Sequence, residues 1–186
     1  MLLAITVAFI CALGLPVVSG ADSEAYATGT CTCDYPLITL YRAYSYSIKD
    51  NFYTTDHDEL DTAIHVGKYT RQPDAGRVLA NDSTIDGAIP LYRLWNPRVL
   101  DHFYTISKVE RDNVAGNGGW VYEGVVAKVL AGPACGTLPL YRTFQGSNYD
   151  HFYTTNASDE ANAITKLGYV FESVAGYIWP GDPFDV

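Results

Sequence analysis

Leu40-Tyr41-Arg42, followed ten residues after its leucine by Asp50-Asn51-Phe52-Tyr53-Thr54, is the first of three copies of one pattern. Leu91-Tyr92-Arg93 with Asp101-His102-Phe103-Tyr104-Thr105 is the second. Leu140-Tyr141-Arg142 with Asp150-His151-Phe152-Tyr153-Thr154 is the third. The copies begin 51 and 49 residues apart. Two blocks at a constant internal spacing, three times over, define a repeat unit of about fifty residues. One such unit buries too little apolar surface to stand alone, so three are expected to share a core.

The rest of each unit follows the same plan. Two residues after the block's threonine stands a helix-capping residue, Asp56, Ser107 or Asn156, and three further on an acid, Glu59, Glu110 or Asp159. The first can accept from an orphan N–H of a helix start and the acid can reach back, which predicts three capped helices. Asp159 has the shorter reach. Gly67, Gly118 and Gly168 stand where a left-handed residue would end each helix. Aromatic, β-rich tails follow, Trp120-Val121-Tyr122-Glu123 and Tyr169-Val170-Phe171-Glu172, continuing as strands over 125–130 and 174–179. The first unit departs here: Tyr69-Thr70-Arg71-Gln72-Pro73 lacks the acid, and Pro73 points to an edge or a bulge. Turn residues in the connectors 79–88 and 131–137 separate the units. The expected fold is α+β, mainly β: three strand-strand-helix-strand repeats, about 36–80, 88–131 and 137–180, in pseudo-threefold symmetry with propeller- or trefoil-like closure.

The chain has 186 residues, of which 48% are hydrophobic and 18% charged, a globular composition. A net charge of −9 without a basic stripe argues against nucleic acid and anionic membrane as partners. Leu2 to Leu15 is apolar and uncharged, Pro16 breaks it, and Val18-Ser19-Gly20 ends it on a small residue. That is short for a membrane span and fits a cleavable secretory signal over 1–20. An N-terminal extension, 21–35, and one domain, 36–186, follow. The predicted localisation is extracellular.

Export gives the cysteines a structural meaning. Cys11 leaves with the signal, and Cys31, Cys33 and Cys135 remain. Residues two apart rarely bridge each other, so the expected bridge is Cys135 with Cys33 or Cys31, Cys33–Cys135 being the choice carried forward. The third thiol is left for burial, capping or a disulfide-linked dimer. Asn81-Asp82-Ser83 and Asn156-Ala157-Ser158 are glycosylation sequons, which places Asn81 and Asn156 on the surface of a eukaryotic secreted chain.

At the two blocks the sequence resembles the secreted LYR…DHFYT repeat family. That is a domain of unknown function found in fungal and bacterial extracellular proteins, in bacteria often appended to hydrolases. The resemblance spans roughly Pro36 to Trp179, and the second and third units match best; Asn51 stands where the pattern has histidine. The resemblance implies secretion, a repeat architecture and an accessory or binding role, and brings no catalytic residue.

On a strand, alternation puts His102 and Tyr104 on one side and Asp101, Phe103 and Thr105 on the other. One reading makes His102, Tyr104, His151 and Tyr153 ligand-facing walls for sugars. The plainer reading packs them inside, with polar atoms bonded to backbone. Arg93 is expected to pair with Asp101 or Glu123 of its own unit, and Arg142 with Asp150 or Glu172, fixing register. Asp101 and His102 point to opposite faces and cannot serve one catalytic centre, and no G-x-S-x-G, H-E-x-x-H or P-loop occurs. The histidines lack metal-ligand spacing, so no metal and no cofactor are expected. The sequence points to a secreted, non-catalytic recognition module for cell-wall or extracellular glycans, with a polysaccharide or glycoprotein as partner. The alternatives are a structural or effector-like secreted protein that binds other proteins, and a small extracellular hydrolase.

Overall fold

The computed structural model describes residues 35–181. The signal over 1–20, nearly all of the N-terminal extension, Cys31 and Cys33 lie outside the described residues. The protein is mainly β, with three helices, in the order β1 (Leu37–Ser45), β2 (Asp50–Thr54), α1 (His57–His65), β3 (Thr70–Leu79), β4 (Ala88–Asn96), β5 (Asp101–Thr105), α2 (Lys108–Ala115), β6 (Val121–Leu130), β7 (Leu138–Gln145), β8 (Asp150–Thr154), α3 (Ala157–Leu167) and β9 (Val170–Ile178). Every strand pair is antiparallel. Within each sequence unit the first strand lies between the other two. Single pairs join the units, Leu79 with Lys128 and Leu130 with Tyr177. Arg77 and Trp179 exchange backbone bonds of 2.8 and 3.0 Å.

The helices start where the capping residues stand. Asp56 accepts from the N–H groups of Asp58 and Glu59, Ser107 from that of Glu110, and Asn156 from those of Ser158 and Asp159. The reciprocal half of the expected capping box is different. Each cap's own N–H goes to the block threonine, Thr54, Thr105 or Thr154, at 3.0 Å. The threonine is nearer, and Glu59 and Glu110 are left to reach elsewhere. Gly168 ends α3 in the left-handed conformation (φ 78°) and Gly118 follows α2 with φ 74°. In the first unit Lys68 takes the left-handed position instead (φ 61°). Gly67 is needed there for close approach, since a Cβ would lie 2.8 Å from the Ala63 carbonyl oxygen. Pro73 falls in a bulge: Pro73, Asp74 and Ala75 stand between the pairs Arg42–Gln72 and Leu40–Gly76, opposite Tyr41.

The core takes the same positions from each unit. Leu40, Leu91 and Leu140 meet Tyr53, Tyr104 and Tyr153, with Val78, Val129 and Ile178 and with Ala75, Val126 and Ala175, and Ala127 joins them from the neighbouring position. The three tyrosines are each 1% exposed. Their rings meet edge to face with centroids 5.2–5.5 Å apart. The Tyr104 hydroxyl accepts from Tyr53 N–H (2.8 Å) and donates to Tyr53 C=O (2.9 Å). Tyr153 does the same for Tyr104 (2.7 and 3.0 Å), and Tyr53 for Tyr153 (2.9 and 2.7 Å). A buried hydroxyl must find partners, and here each finds two in a neighbour's backbone.

Candidate ligand-binding site

The strands β2, β5 and β8 are buried along their whole length, and their first two residues form a second polar ring. Asp50 accepts from the His102 N–H (2.8 Å) and bonds the His102 ring at Nδ1 (2.7 Å). Asp101 does the same with His151, at 3.1 and 2.6 Å. Asp150 meets Asn51 instead, accepting from its backbone N–H and from its Nδ2 at 3.1 and 3.0 Å. Tyr69 and Tyr169 add hydroxyl bonds to Asp50 and Asp150. Burial works to lower the His151 pKa, but its bonds to Asp101 and Glu172 win and hold it at about 8. Burial raises Asp150 to about 7, and the donors Tyr169 and Asn51 only partly offset it. One carboxylate oxygen from each of Asp50, Asp101 and Asp150 lies within 4.8 Å of the others, a spacing that suits a cation. Every oxygen of the three already accepts a hydrogen bond, and the group reads as an acceptor ring.

Outside this ring each arginine of the pattern crosses a boundary between units. Arg93 forks onto Glu59 of the preceding unit (2.9 and 2.6 Å) and reaches Glu123 of its own at 2.7 Å. Arg142 forks onto Glu110 (3.0 and 2.9 Å) with Glu172 at 2.9 Å. Burial pushes the Glu59 and Glu110 carboxyls up, but the arginine and threonine donors outweigh it and hold both below the ordinary range. The guanidinium of Arg93 lies over Phe52, that of Arg142 over Phe103 and that of Arg42 over Phe152, at 4.6–5.2 Å.

The junction of the third unit with the first is built differently. Arg42 donates Nε and Nη2 to Asn51 Oδ1 (3.2 and 2.9 Å) and has no ion pair among the described residues. Gln72 occupies the place of Glu123 and Glu172, and Asp159 that of Glu59 and Glu110. Beside Arg42 opens a cavity of about 250 Å³, lined by Tyr44, Tyr46, Asn51, Gln72, Phe152, Leu167 and Tyr169. Arg42 is its one charged lining residue. A neighbouring cavity of about 290 Å³ shares Arg42 and includes Asp159, Thr154 and Asn156. This second cavity has counterparts at the other two junctions, about 130 Å³ among Glu59, Arg93 and Glu123 and about 280 Å³ among Glu110, Arg142 and Ser173.

The residues expected to face a ligand are internal. Tyr104 and Tyr153 are 1% exposed and spend their hydroxyls on backbone. His102 and His151, 8% and 7% exposed, spend Nδ1 on Asp50 and Asp101 and turn Nε2 toward Glu123 (3.8 Å) and Glu172 (3.4 Å). Strand alternation does not separate core from surface here because both faces of these strands are covered. Of the expected ion pairs, Arg93–Glu123 and Arg142–Glu172 are made. Asp101 and Asp150 serve His151 and Asn51 across unit boundaries, not the arginines. Asn81 and Asn156 are exposed. The partner expected for Cys135 lies outside the described residues. The residues Tyr44, Tyr46 and Gln72 were not singled out for binding, although the missing acid at Gln72 and the Asn51 replacement are visible departures from the repeat.

Fold and site together define a mainly β domain with three helices, organised around a buried polar centre. The chain belongs to the family described as domain of unknown function DUF5648, which matches residues 39–179. No curated protein and no solved structure matches the chain. Among the described residues no helix is long and apolar enough to cross a membrane.

Proposed function

We propose that this chain is a secreted, non-catalytic recognition module that binds extracellular glycans. The observation that carries the reading is the cavity beside Arg42. Tyr44 and Tyr46, in edge-to-face contact at 4.9 Å, stand with Phe152 and Tyr169 beside the amide of Gln72, the buried Asn51 amide being spent on Arg42 and Asp150. Aromatic faces stack on sugar rings, and amides and phenol tips hydrogen-bond hydroxyls at low entropy cost. Tyr46 is 62% exposed and free to meet a polymer. The non-catalytic part of the reading is supported by Glu59, Glu110, Glu123 and Glu172, each held by an arginine. The three junctions differ, so the reading rests on one site and not on three equal ones.

We further infer a pseudo-threefold arrangement with trefoil- or propeller-like closure. The cyclic tyrosine bonds and the three links Leu79–Lys128, Leu130–Tyr177 and Arg77–Trp179 support it. A secretory signal over 1–20, a Cys33–Cys135 bridge and glycans on Asn81 and Asn156 complete the proposal. The test is retention of the secreted protein on chitin, glucan, mannan, peptidoglycan and polygalacturonate. Retention by the wild type, lost in a Tyr44→Ala/Tyr46→Ala variant with unchanged circular dichroism, supports the reading. A wild type retained on none of the five overturns it.

A further inference from the structure

We infer that the glycan this cavity takes carries a carboxylate, and that Arg42 is the residue that anchors it. The inference deepens the glycan-binding reading above and rests on it. The argument is a comparison of three arginines in one molecule. Arg93 and Arg142 each hold two carboxylates, one from the preceding unit and one from their own. Their guanidinium groups sit over the same phenylalanine of the pattern as that of Arg42. At Arg42 neither position supplies an ion pair. Gln72 offers a neutral amide where Glu123 and Glu172 stand, and Asp159, one methylene shorter than glutamate, makes no ion pair with Arg42.

Arg42 Nε and Nη2 converge on a single oxygen of Asn51, and Nη1 has no protein partner among the described residues. A guanidinium presents its donors in a planar fork that matches a carboxylate, and it cannot discharge by losing a proton. The adjoining cavity holds no acidic lining residue to compete. On the other side of Arg42, Asp74 is paired with Arg71 at 2.6 Å. A cavity of about 250 Å³ suits the end of a chain or a single ring. A uronic acid meets both demands, a ring face for the tyrosines and a carboxylate for the fork. The net charge of −9 opposes an anionic polymer at low ionic strength. The contact is therefore best read near physiological salt, where charges more than about 8 Å apart are screened.

The experiment is titration calorimetry of the secreted protein with oligomers of galacturonate, mannuronate and glucuronate, each against its methyl ester. The wild type should bind at least one acid about tenfold more tightly than its ester, as expected for a charge-assisted fork. Arg42→Gln should abolish that preference. Gln72→Glu returns the acid found at the other two junctions, pairs Arg42 internally, and should abolish the preference without lowering Tm. Equal binding of acids and esters by the wild type overturns the inference, as does a preference that survives both variants. If neutral glycans are retained through Tyr44 and Tyr46 with no acid preference, the inference falls alone. If nothing is bound, the glycan-binding reading falls with it.

Discussion

Both carboxylate oxygens of Asp150 accept from Nδ2 of Asn51, a residue 99 positions earlier in the chain, where Asp50 and Asp101 each bond a histidine ring. The exchange of one imidazole for one amide removes a cation from the polar centre. Burial then raises Asp150 to about 7, so that it holds its proton into the neutral range.

A pH dependence of stability follows. An unfolded aspartate titrates near 3.9 and an unfolded histidine near 6.5. From about pH 4 to 7 the folded chain keeps a proton on Asp150 that the unfolded chain has lost, and His151 extends the difference to about pH 8. Stability from these groups is therefore present in mild acid and lost as pH rises. Glu59, Glu110 and Glu172 act in the opposite direction, since their lowered pKa values withdraw stability as pH falls below the ordinary glutamate range. Thermal unfolding should give a maximum Tm near pH 5 and a fall of several degrees by pH 8. Asp150→Asn should flatten the fall between pH 5 and 7; an unchanged profile in that variant refutes the assignment.

The tyrosine centre predicts an unusually costly loss of one oxygen. Tyr104→Phe removes the atom that satisfies both Tyr53 N–H and Tyr53 C=O in a site without solvent. Leaving a buried polar group unmet costs about 1–3 kcal/mol, so roughly 3 kcal/mol is expected for the pair. Urea unfolding of wild type and variant measures it. A difference below about 1 kcal/mol, the net value of one ordinary hydrogen bond, would show the bonds to be dispensable.

The arginines should separate by what they leave behind. Arg93→Gln strands Glu59 and Glu123 near each other, and Arg142→Gln strands Glu110 and Glu172. These pairs are partly buried, so each change should cost about 2 kcal/mol, between the values for exposed and buried pairs. Arg42→Gln strands no carboxylate and should cost under about 1 kcal/mol, in the range of surface changes. Chemical denaturation of the three variants ranks them, and equal losses contradict the distinction between junctions.

Gly76 sits where two backbone segments about a hundred residues apart touch. Its φ is 149°, and an added Cβ would lie 2.5 Å from the Trp179 carbonyl oxygen, the atom that accepts from Arg77 N–H. Gly76→Ala should break the Arg77–Trp179 bridge and destabilise by about 2 kcal/mol or more, the usual scale of overpacking. Amide hydrogen exchange would report it as lost protection at Arg77 and Trp179.

The local plan of each unit was legible in the sequence, because caps, strands and the Arg93–Glu123 and Arg142–Glu172 pairs are set by residues within one repeat. What crosses between units was not. The forks of Arg93 on Glu59 and Arg142 on Glu110 join residues more than thirty positions apart, and the tyrosine hydroxyls reach 49 to 100 positions. Asn51, Gln72 and Asp159 were each visible as a departure from the pattern, in two different units. Only the fold shows that they gather around one arginine, Asn51 and Gln72 in the cavity on one side of it and Asp159 in the cavity on the other.

The cycle of hydroxyl-to-backbone bonds also counts. Tyr153 serves Tyr104, Tyr104 serves Tyr53, and Tyr53 serves Tyr153. Each hydroxyl is thus both guest and host, and taking any one tyrosine out of the circle orphans a backbone N–H, a backbone C=O and one phenol at once.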